Sequence, residues 1–187
     1  MLAQIQRPLL ILDLDETLIH ARETPPGMEQ SGHFAVFSYT VWERPALTTF
    51  LNTVSAWFDL AIWTASTLPY AQAIVERIIP PAVPLVFLWT RTECTWRLER
   101  ERGGYYWLKN LNKVKRRVGY RLEQMLILDD SPRKLTRHYG NLLRVRPFTG
   151  QPADTELADI LPYLDWLRTV DDMRTIDKRP WRSRTGQ

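Results

Sequence analysis

Apolar residues along this chain fall into two alternating kinds of segment. Short, mostly apolar runs of strand length occur at Leu9–Leu14, Leu60–Trp63, Leu85–Trp89, Met125–Leu128 and Leu142–Val145. They read as strands buried on both faces. Between them, apolar positions recur at helical spacing. Leu47, Phe50, Leu51, Val54 and Trp57 follow Pro45, which suits the first turn of a helix. Ile74 and Ile78 form the inner face of a second helix, with Ser66 as its expected cap and Pro69 in its first turn. Leu157, Ile160, Leu161, Leu164 and Leu167 form a last helix, capped by Asp154 and broken near Pro162.

Two segments break this alternation. Phe34–Trp42 is β-branched and aromatic after the turn-rich stretch TPPGMEQSG, and predicts a strand or one arm of a hairpin. Trp96–Arg102 and Tyr105–Leu108 flank Gly103-Gly104, a signal for a two-residue hairpin turn. Lys113–Tyr120 is basic and helical in part. Strands alternating with helices predict an α/β sandwich with a mostly parallel central sheet. A chain of 187 residues suits one domain, expected over residues 1–177, with 178–187 as a basic, disordered tail.

Composition narrows the class. One cysteine, Cys94, rules out an internal disulfide and fits a reducing compartment. No apolar run approaches the ~18 residues of a membrane helix, and no signal-peptide pattern opens the chain, so a cytoplasmic protein is expected. Charge is uneven: residues 91–146 carry 15 basic and 6 acidic side chains. Such a basic middle suits an anionic partner or is a solvated face, with KVKRR (Lys113–Arg117) at its centre. Among the tryptophans, Trp57, Trp63 and Trp166 sit in core patterns. Trp96 and Trp107 face each other across the predicted hairpin, lining a groove or packing against each other.

The candidate chemistry lies at strand ends. Asp13 and Asp15 end the first, Thr64 and Ser66 the second, Asp129 and Asp130 a later one. Parallel neighbours would gather all three groups on one rim, where open α/β sheets bind ligands. Converging carboxylates need a counter-charge, and hard oxygen donors favour Mg²⁺. His20, His33 and His138 are scattered, so no zinc cluster is offered. Two aspartates beside Mg²⁺ can divide labour as carboxylate nucleophile and proton carrier, while Thr64 and a lysine hold phosphoryl oxygens. Taken alone, the aspartate pair reads equally well as turn or capping residues.

Four stretches in order add a resemblance. ILDLDETLIH, WTAS (Trp63–Ser66), WLKNL around Lys109 and ILDDSP (Ile127–Pro132) resemble the four motifs of the haloacid dehalogenase (HAD) superfamily. Together with ERP before a helix, they look like its branch of small C-terminal-domain, NLI-interacting-factor-like phosphatases. The resemblance runs from Leu9 to Met173. It implies a Rossmannoid three-layer sandwich with small β-hairpin insertions and no large cap domain. It also implies roles: Asp13 as nucleophile, Asp15 as general acid/base with its main-chain carbonyl on the metal, and Thr17 steadying the loop. Thr64, Ser66 and Lys109 would bind the phosphoryl group, and Asp13, Asp15, Asp129 and Asp130 would hold Mg²⁺. The activity implied is a Mg²⁺-dependent phosphatase working through an aspartyl phosphate on phosphoserine or phosphothreonine proteins. A metabolite phosphatase and a non-catalytic phosphoprotein- or nucleic-acid-binding module are the alternatives. A phosphorylated protein or peptide is the expected partner, nucleic acid and membrane are not, and a monomer is favoured. Asp130 departs from eukaryotic relatives, which often carry Asn there.

Overall fold

The computed structural model describes residues 7–24, 32–98 and 104–184. Five parallel strands make the central sheet: β1 (Leu9–Leu12), β5 (Asp59–Trp63), β6 (Leu85–Trp89), β9 (Met125–Asp129) and β10 (Leu142–Arg144). Their spatial order is β10-β9-β1-β5-β6. Register pairs Leu12 with Ile62 on one side and Leu128 on the other, which puts Asp13, Trp63 and Asp129 at one level.

Strand alternation explains the double burial. Leu10, Leu12, Leu60, Ile62, Leu126 and Leu128 point into the larger apolar core, together with the buried residues of α1 (Leu47–Trp57), α2 (Leu68–Ile78), α4 (Glu156–Asp159) and α5 (Leu161–Leu167). Leu9, Ile11, Ala61, Trp63, Met125 and Ile127 point to the opposite face and pack with Val114 of α3 (Asn112–Arg117). β1, β5 and β9 thus bury both their faces, as continuous apolar runs require, whereas the edge strand β6, expected to do the same, leaves Val86 exposed. Asp13 and Asp129, at odd positions, emerge on the smaller-core side. The result is the three-layer α/β sandwich expected from the alternation. Pro162 divides the last helix, as its fixed φ and missing N–H dictate: α4 stops and α5 starts with proline in its first turn.

Two antiparallel additions flank the sheet. β2 (Ile19–Glu23), β4 (Tyr39–Glu43) and β3 (Phe34–Val36) form a three-stranded sheet in the order β2-β4-β3. The Phe34–Trp42 stretch is therefore a hairpin in itself, and β2, which runs through the polar IHARE, is an addition to the sequence expectation. Most of the turn-rich stretch before it, residues 25–31, lies outside the described residues. β7 (Thr95–Leu98) and β8 (Tyr105–Leu108) pair Trp96 with Trp107 and Leu98 with Tyr105. This ladder is centred between positions 101 and 102, not on the glycine pair. Gly104 does adopt a positive φ of 106°, and Gly103 lies outside the described residues.

Four expectations need correction. Pro45 stands outside the first turn of α1, which begins at Leu47 with Ala46 as its flanking residue. Ser66 does not cap α2, which begins at Leu68 with Thr67 as its flanking residue; the Ser66 hydroxyl is committed elsewhere. Trp166 is 42% exposed and touches Tyr163 at the surface instead of filling the core. The segment after residue 177 is not a disordered tail as far as Arg184. Trp181–Arg184 forms a short helix, α6, with Trp181 1% exposed and its indole N–H donating to the Arg144 carbonyl at 2.9 Å. A tryptophan among basic residues carried the apolar area that anchors the segment. Residues 185–187 lie outside the described residues.

Candidate active site

β1, β5 and β9 deliver their terminal polar residues to one rim, but the structure sorts these residues into two adjoining clusters. The first is ionic. Asp13, just past β1, is buried, and Lys109, just past β8, donates to its Oδ1 at 2.9 Å and to Asp129 Oδ2 at 2.6 Å. Lys109 is held in turn by its own backbone N–H, which donates to the Lys134 carbonyl at 2.8 Å. Lys134 is the residue that sequence reasoning missed. Its ammonium contacts Asp13 Oδ2 at 2.5 Å, Asp129 Oδ1 at 3.3 Å and Asp130 Oδ1 at 3.5 Å.

The second cluster gathers round Asp15. Ser66 Oγ donates to Asp15 Oδ2 at 2.7 Å, and Thr64 Oγ1 reaches the same oxygen at 3.4 Å. Tyr70, one turn into α2, donates from its hydroxyl to Asp15 Oδ1 at 2.8 Å. Thr64 Oγ1 also accepts the Ser66 N–H at 3.0 Å. Thr17 is buried behind this loop; its carbonyl accepts from Arg44 Nη1 at 3.0 Å, while its hydroxyl has no partner among the described residues. Of the expected phosphoryl-binding residues, Lys109 therefore joins Asp13, while Thr64 and Ser66 join Asp15. Lys134 and Tyr70 both stood at helical spacing from motif residues, four after Asp130 and four after Ser66. That spacing is the signal that would have found them.

Burial and charge pull against each other here. Burial works to raise the Asp13 pKa, but the charges of Lys109 and Lys134 override it and hold the carboxyl below its usual range. Asp129 goes the other way: burial and the neighbouring Asp13 charge push it up to about 6 despite the two lysines. Burial alone would lower the Lys134 pKa, yet Asp13, Asp129 and Asp130 raise it well above the usual lysine value. Burial and the Asp15 charge likewise raise Tyr70, so it stays a donor. Cys94, buried beside Thr64, has its thiol pushed up by burial and stays protonated.

A metal fits the first cluster by its donor chemistry. Oxygens of Asp13, Asp129 and Asp130 lie within 4.8 Å of one another, all hard donors, and the ammonium among them shows that the cluster draws a cation. The Asp15 side chain belongs to the other cluster, which leaves only its main chain for such a role.

The basic run at Lys113–Arg117 divides in the same way. Lys113 donates to the Glu93 carbonyl at 2.7 Å and Arg117 lies 4.8 Å over the Trp89 ring, whereas Lys115 and Arg116 face solvent. Trp96 stacks on Tyr105 at 4.1 Å and on Trp107 at 6.1 Å, so cross-strand packing is realised while Trp96 stays 59% exposed.

The NLI interacting factor-like phosphatase family matches residues 8–174. The chain is 32% identical over 191 aligned residues to "CTD nuclear envelope phosphatase 1" of Xenopus tropicalis, covering 95% of this chain and 74% of that protein. Its fold is similar to that of Fcp1, an RNA polymerase II CTD phosphatase, with a TM-score of 0.62 at 19% identity over 87% of this chain and 62% of that one. It is also similar to a haloacid dehalogenase-like hydrolase of Bacteroides fragilis, with a TM-score of 0.52 at 9% identity over 82% and 93% of the two chains. The Xenopus name places that relative at the nuclear envelope, where the sequence reading expected a cytoplasmic protein. No helix among the described residues is long and apolar enough to cross a membrane. With the family match spanning nearly the whole chain over a HAD-like fold, this chain belongs to the NLI interacting factor-like phosphatases.

Proposed function

We propose that the chain is a Mg²⁺-dependent phosphatase of phosphoserine or phosphothreonine proteins that works through an aspartyl phosphate on Asp13. The observation that carries this reading is the division of the rim into two clusters, one holding an ionised carboxylate and the other a carboxylate ringed by hydroxyls. Asp13 is the attacking group. Lys109 and Lys134 keep it charged, and its oxygen forms a bond to phosphorus as the phosphorus–oxygen bond to the leaving serine or threonine breaks. Asp15 gives the departing oxygen its proton, then takes one from the water that attacks the aspartyl phosphate and releases inorganic phosphate. Ser66, Thr64 and Tyr70 orient Asp15 for that transfer, and Lys109 offsets the charge that gathers on the phosphoryl oxygens. Bound by Asp13, Asp129, Asp130 and the Asp15 main-chain carbonyl, Mg²⁺ would supply a counter-charge that lets phosphate and carboxylates approach. The described residues include no cap domain over the rim, and the Xenopus relative's name marks it as a CTD phosphatase; both favour a protein over a small metabolite as substrate.

The test pairs two assays. Purified protein should hydrolyse an aryl phosphate with added Mg²⁺ and lose that activity in excess chelator. On a phosphopeptide array run beside a panel of phosphorylated metabolites, the peptides should give the higher kcat/KM. Activity indifferent to chelator would overturn the metal role, and a metabolite outpacing every peptide would overturn the substrate class.

A further inference from the structure

A groove of about 810 Å³ lies along the β10 edge, away from the candidate nucleophile. Six cationic side chains line it, Arg144, Arg146, Arg174, Lys178, Arg179 and Arg182, against a single carboxylate, Asp177. Three of the six are already engaged: Arg174 pairs with Asp172 and Glu123, Arg179 with Asp177, and Arg182 with Glu156. The other three make no close ion pair among the described residues, although Asp154 acts on Arg146, and Asp172 and Asp177 on Lys178, from further off. Arg144 and Arg146 are exposed, and neither guanidinium reaches a carboxylate at ion-pair distance among the described residues. Lys178 is buried, with its ammonium on the carbonyls of Gly140 (2.7 Å), Met173 (2.5 Å) and Ile176 (3.0 Å) instead of on a carboxylate. Burial lowers its pKa to about 8, which still leaves it cationic at neutral pH. Asp172 and Asp177 act on this ammonium only from a distance and offset part of the cost of burying it. An anion in the groove would offset that cost.

The groove is tied to the rim by strand register. Arg144 of β10 pairs with Asp129 of β9, and the Val145 N–H donates to the Asp129 carbonyl at 3.3 Å. Arg146 comes next, on the side where the rim lies. With neighbouring strands ~4.8 Å apart, β10 runs about 10 Å from the strand that carries Asp13. An extended peptide rises ~3.3 Å per residue, so a chain with one residue at Asp13 brings another to Arg144 and Arg146 about three to five residues along. Guanidinium forks match phosphate oxygens in pairs, and a phosphate dianion suits a lining of six cations and one carboxylate better than a single further carboxylate does. Tyr139 is the one aromatic side chain in the lining, too few to stack successive bases of a nucleic acid.

We propose that this groove binds a second phosphate on the substrate chain, about three to five residues from the phosphate that is hydrolysed. This rests on the protein-phosphatase reading and narrows its substrate class to multiply phosphorylated segments. Arg144 and Arg146 dock that second group; the buried Lys178 adds field behind them.

The test uses synthetic peptides with one phosphoserine, or two spaced by three, four or five residues, on the wild type and on Arg144→Ala/Arg146→Ala. Both arginines are exposed, so the variant folds, and its aryl-phosphate kcat stays unchanged. At one or more spacings the wild type should favour the doubly phosphorylated peptide roughly tenfold in kcat/KM, through KM, and the variant should lose that preference. The preference should also fade with added salt. Equal kcat/KM for single and double peptides, or a preference that survives in the variant, would overturn the proposal. Binding to the non-turnover Asp13→Asn protein separates this from a failure of the wider reading. If no phosphopeptide is hydrolysed while aryl phosphate is, the protein substrate falls, and loss of doubly phosphorylated peptide binding on removing both arginines still decides the groove. A single-stranded oligonucleotide that binds more tightly than either peptide would make the groove a nucleic-acid site and overturn the assignment.

Discussion

Two buried ionic centres are linked through the loop that follows Asp13, where Thr17 accepts from Arg44, and are built on opposite plans. Arg44 meets Asp154 with both arms of its fork at 2.8 Å, and spends two further donors on the carbonyls of Thr17 (3.0 Å) and Arg146 (2.9 Å). One cation faces one anion, four of the five guanidinium N–H groups have acceptors, and the Arg44 side chain is fully buried. At the rim, three carboxylates share two ammoniums, and Lys134 is stretched over all three. Their pKa values record the difference. Burial works to raise Asp154, but the Arg44 hydrogen bonds and charge win and lower it, whereas Asp129 is pushed up to about 6. The Arg44 centre is closed and can only hold loops together: it ties the Asp13 loop to the exit of β10 and to the start of α4, where Asp154 Oδ1 accepts the Glu156 N–H. The rim is short of positive charge and can take more, which a phosphoryl-transfer site needs.

The largest effects should come from the rim. Asp13→Asn should cut aryl-phosphate turnover about 10⁴-fold or more and abolish phosphate labelling of the protein, because an amide is a poor nucleophile. Asp15→Asn should slow turnover by roughly 10²–10⁴-fold while the attacking group stays intact. Steady-state kinetics and intact-protein mass after a rapid quench measure both. An Asp13→Asn protein with near-native turnover would erase the contrast drawn here, since the rim would then be one more structural cluster.

Arg44→Met should do the reverse, sparing chemistry and costing stability. Removing one partner of a buried pair leaves Asp154 with only the Glu156 N–H and takes the guanidinium from two carbonyls, a loss of roughly 3–5 kcal/mol. Turnover per folded molecule should change only a few-fold. The loss should also depend on pH. Because the folded Asp154 pKa is lowered, the pair contributes fully above the ordinary carboxylate value and fades as pH falls through the lowered one, so the two proteins converge below about pH 4. Urea unfolding of both proteins across a pH series reads this directly, and a gap that stays constant into acid would mean that packing, not charge, carries Arg44.

The two centres also differed in how legible they were. The rim's strands were plain in the sequence because each is a short apolar run ending in polar residues, and Asp13, Asp129 and Asp130 stand where that pattern put them. Arg44 was visible only as part of ERP, since an arginine 110 residues from its carboxylate leaves no local signal. Trp181 escaped for a related reason: its partners lie on β10, far back in the chain, and its neighbours are all polar or proline. β2 was hidden because a strand paired on one side and open to solvent need not be apolar. Local periodicity reports what one element buries against its own layer. It does not report which distant charge a lone arginine or tryptophan will find.

The smallest effect, and the finest test of the comparison, concerns Lys134. Its ammonium touches one oxygen from each of the three carboxylates that would hold Mg²⁺, and the same oxygens cannot serve both cations in full. Lys134 would therefore act as the rim's own counter-ion without metal and would share these oxygens, less closely held, once Mg²⁺ bound. Lys134→Met keeps an unbranched side chain one atom shorter and removes its charge. Without Mg²⁺ the variant should unfold at a lower temperature than the wild type, because three carboxylates are left with Lys109 alone. With Mg²⁺ it should recover more than the wild type does, and calorimetric titration should show tighter binding by roughly tenfold, about 1.4 kcal/mol. Neither readout depends on turnover, so they stand even if Lys134 also steadies the phosphoryl group. If Mg²⁺ stabilised both proteins equally and bound both with one affinity, Lys134 would be a fixed strut like Arg44, and the rim would be as closed as the centre beside it.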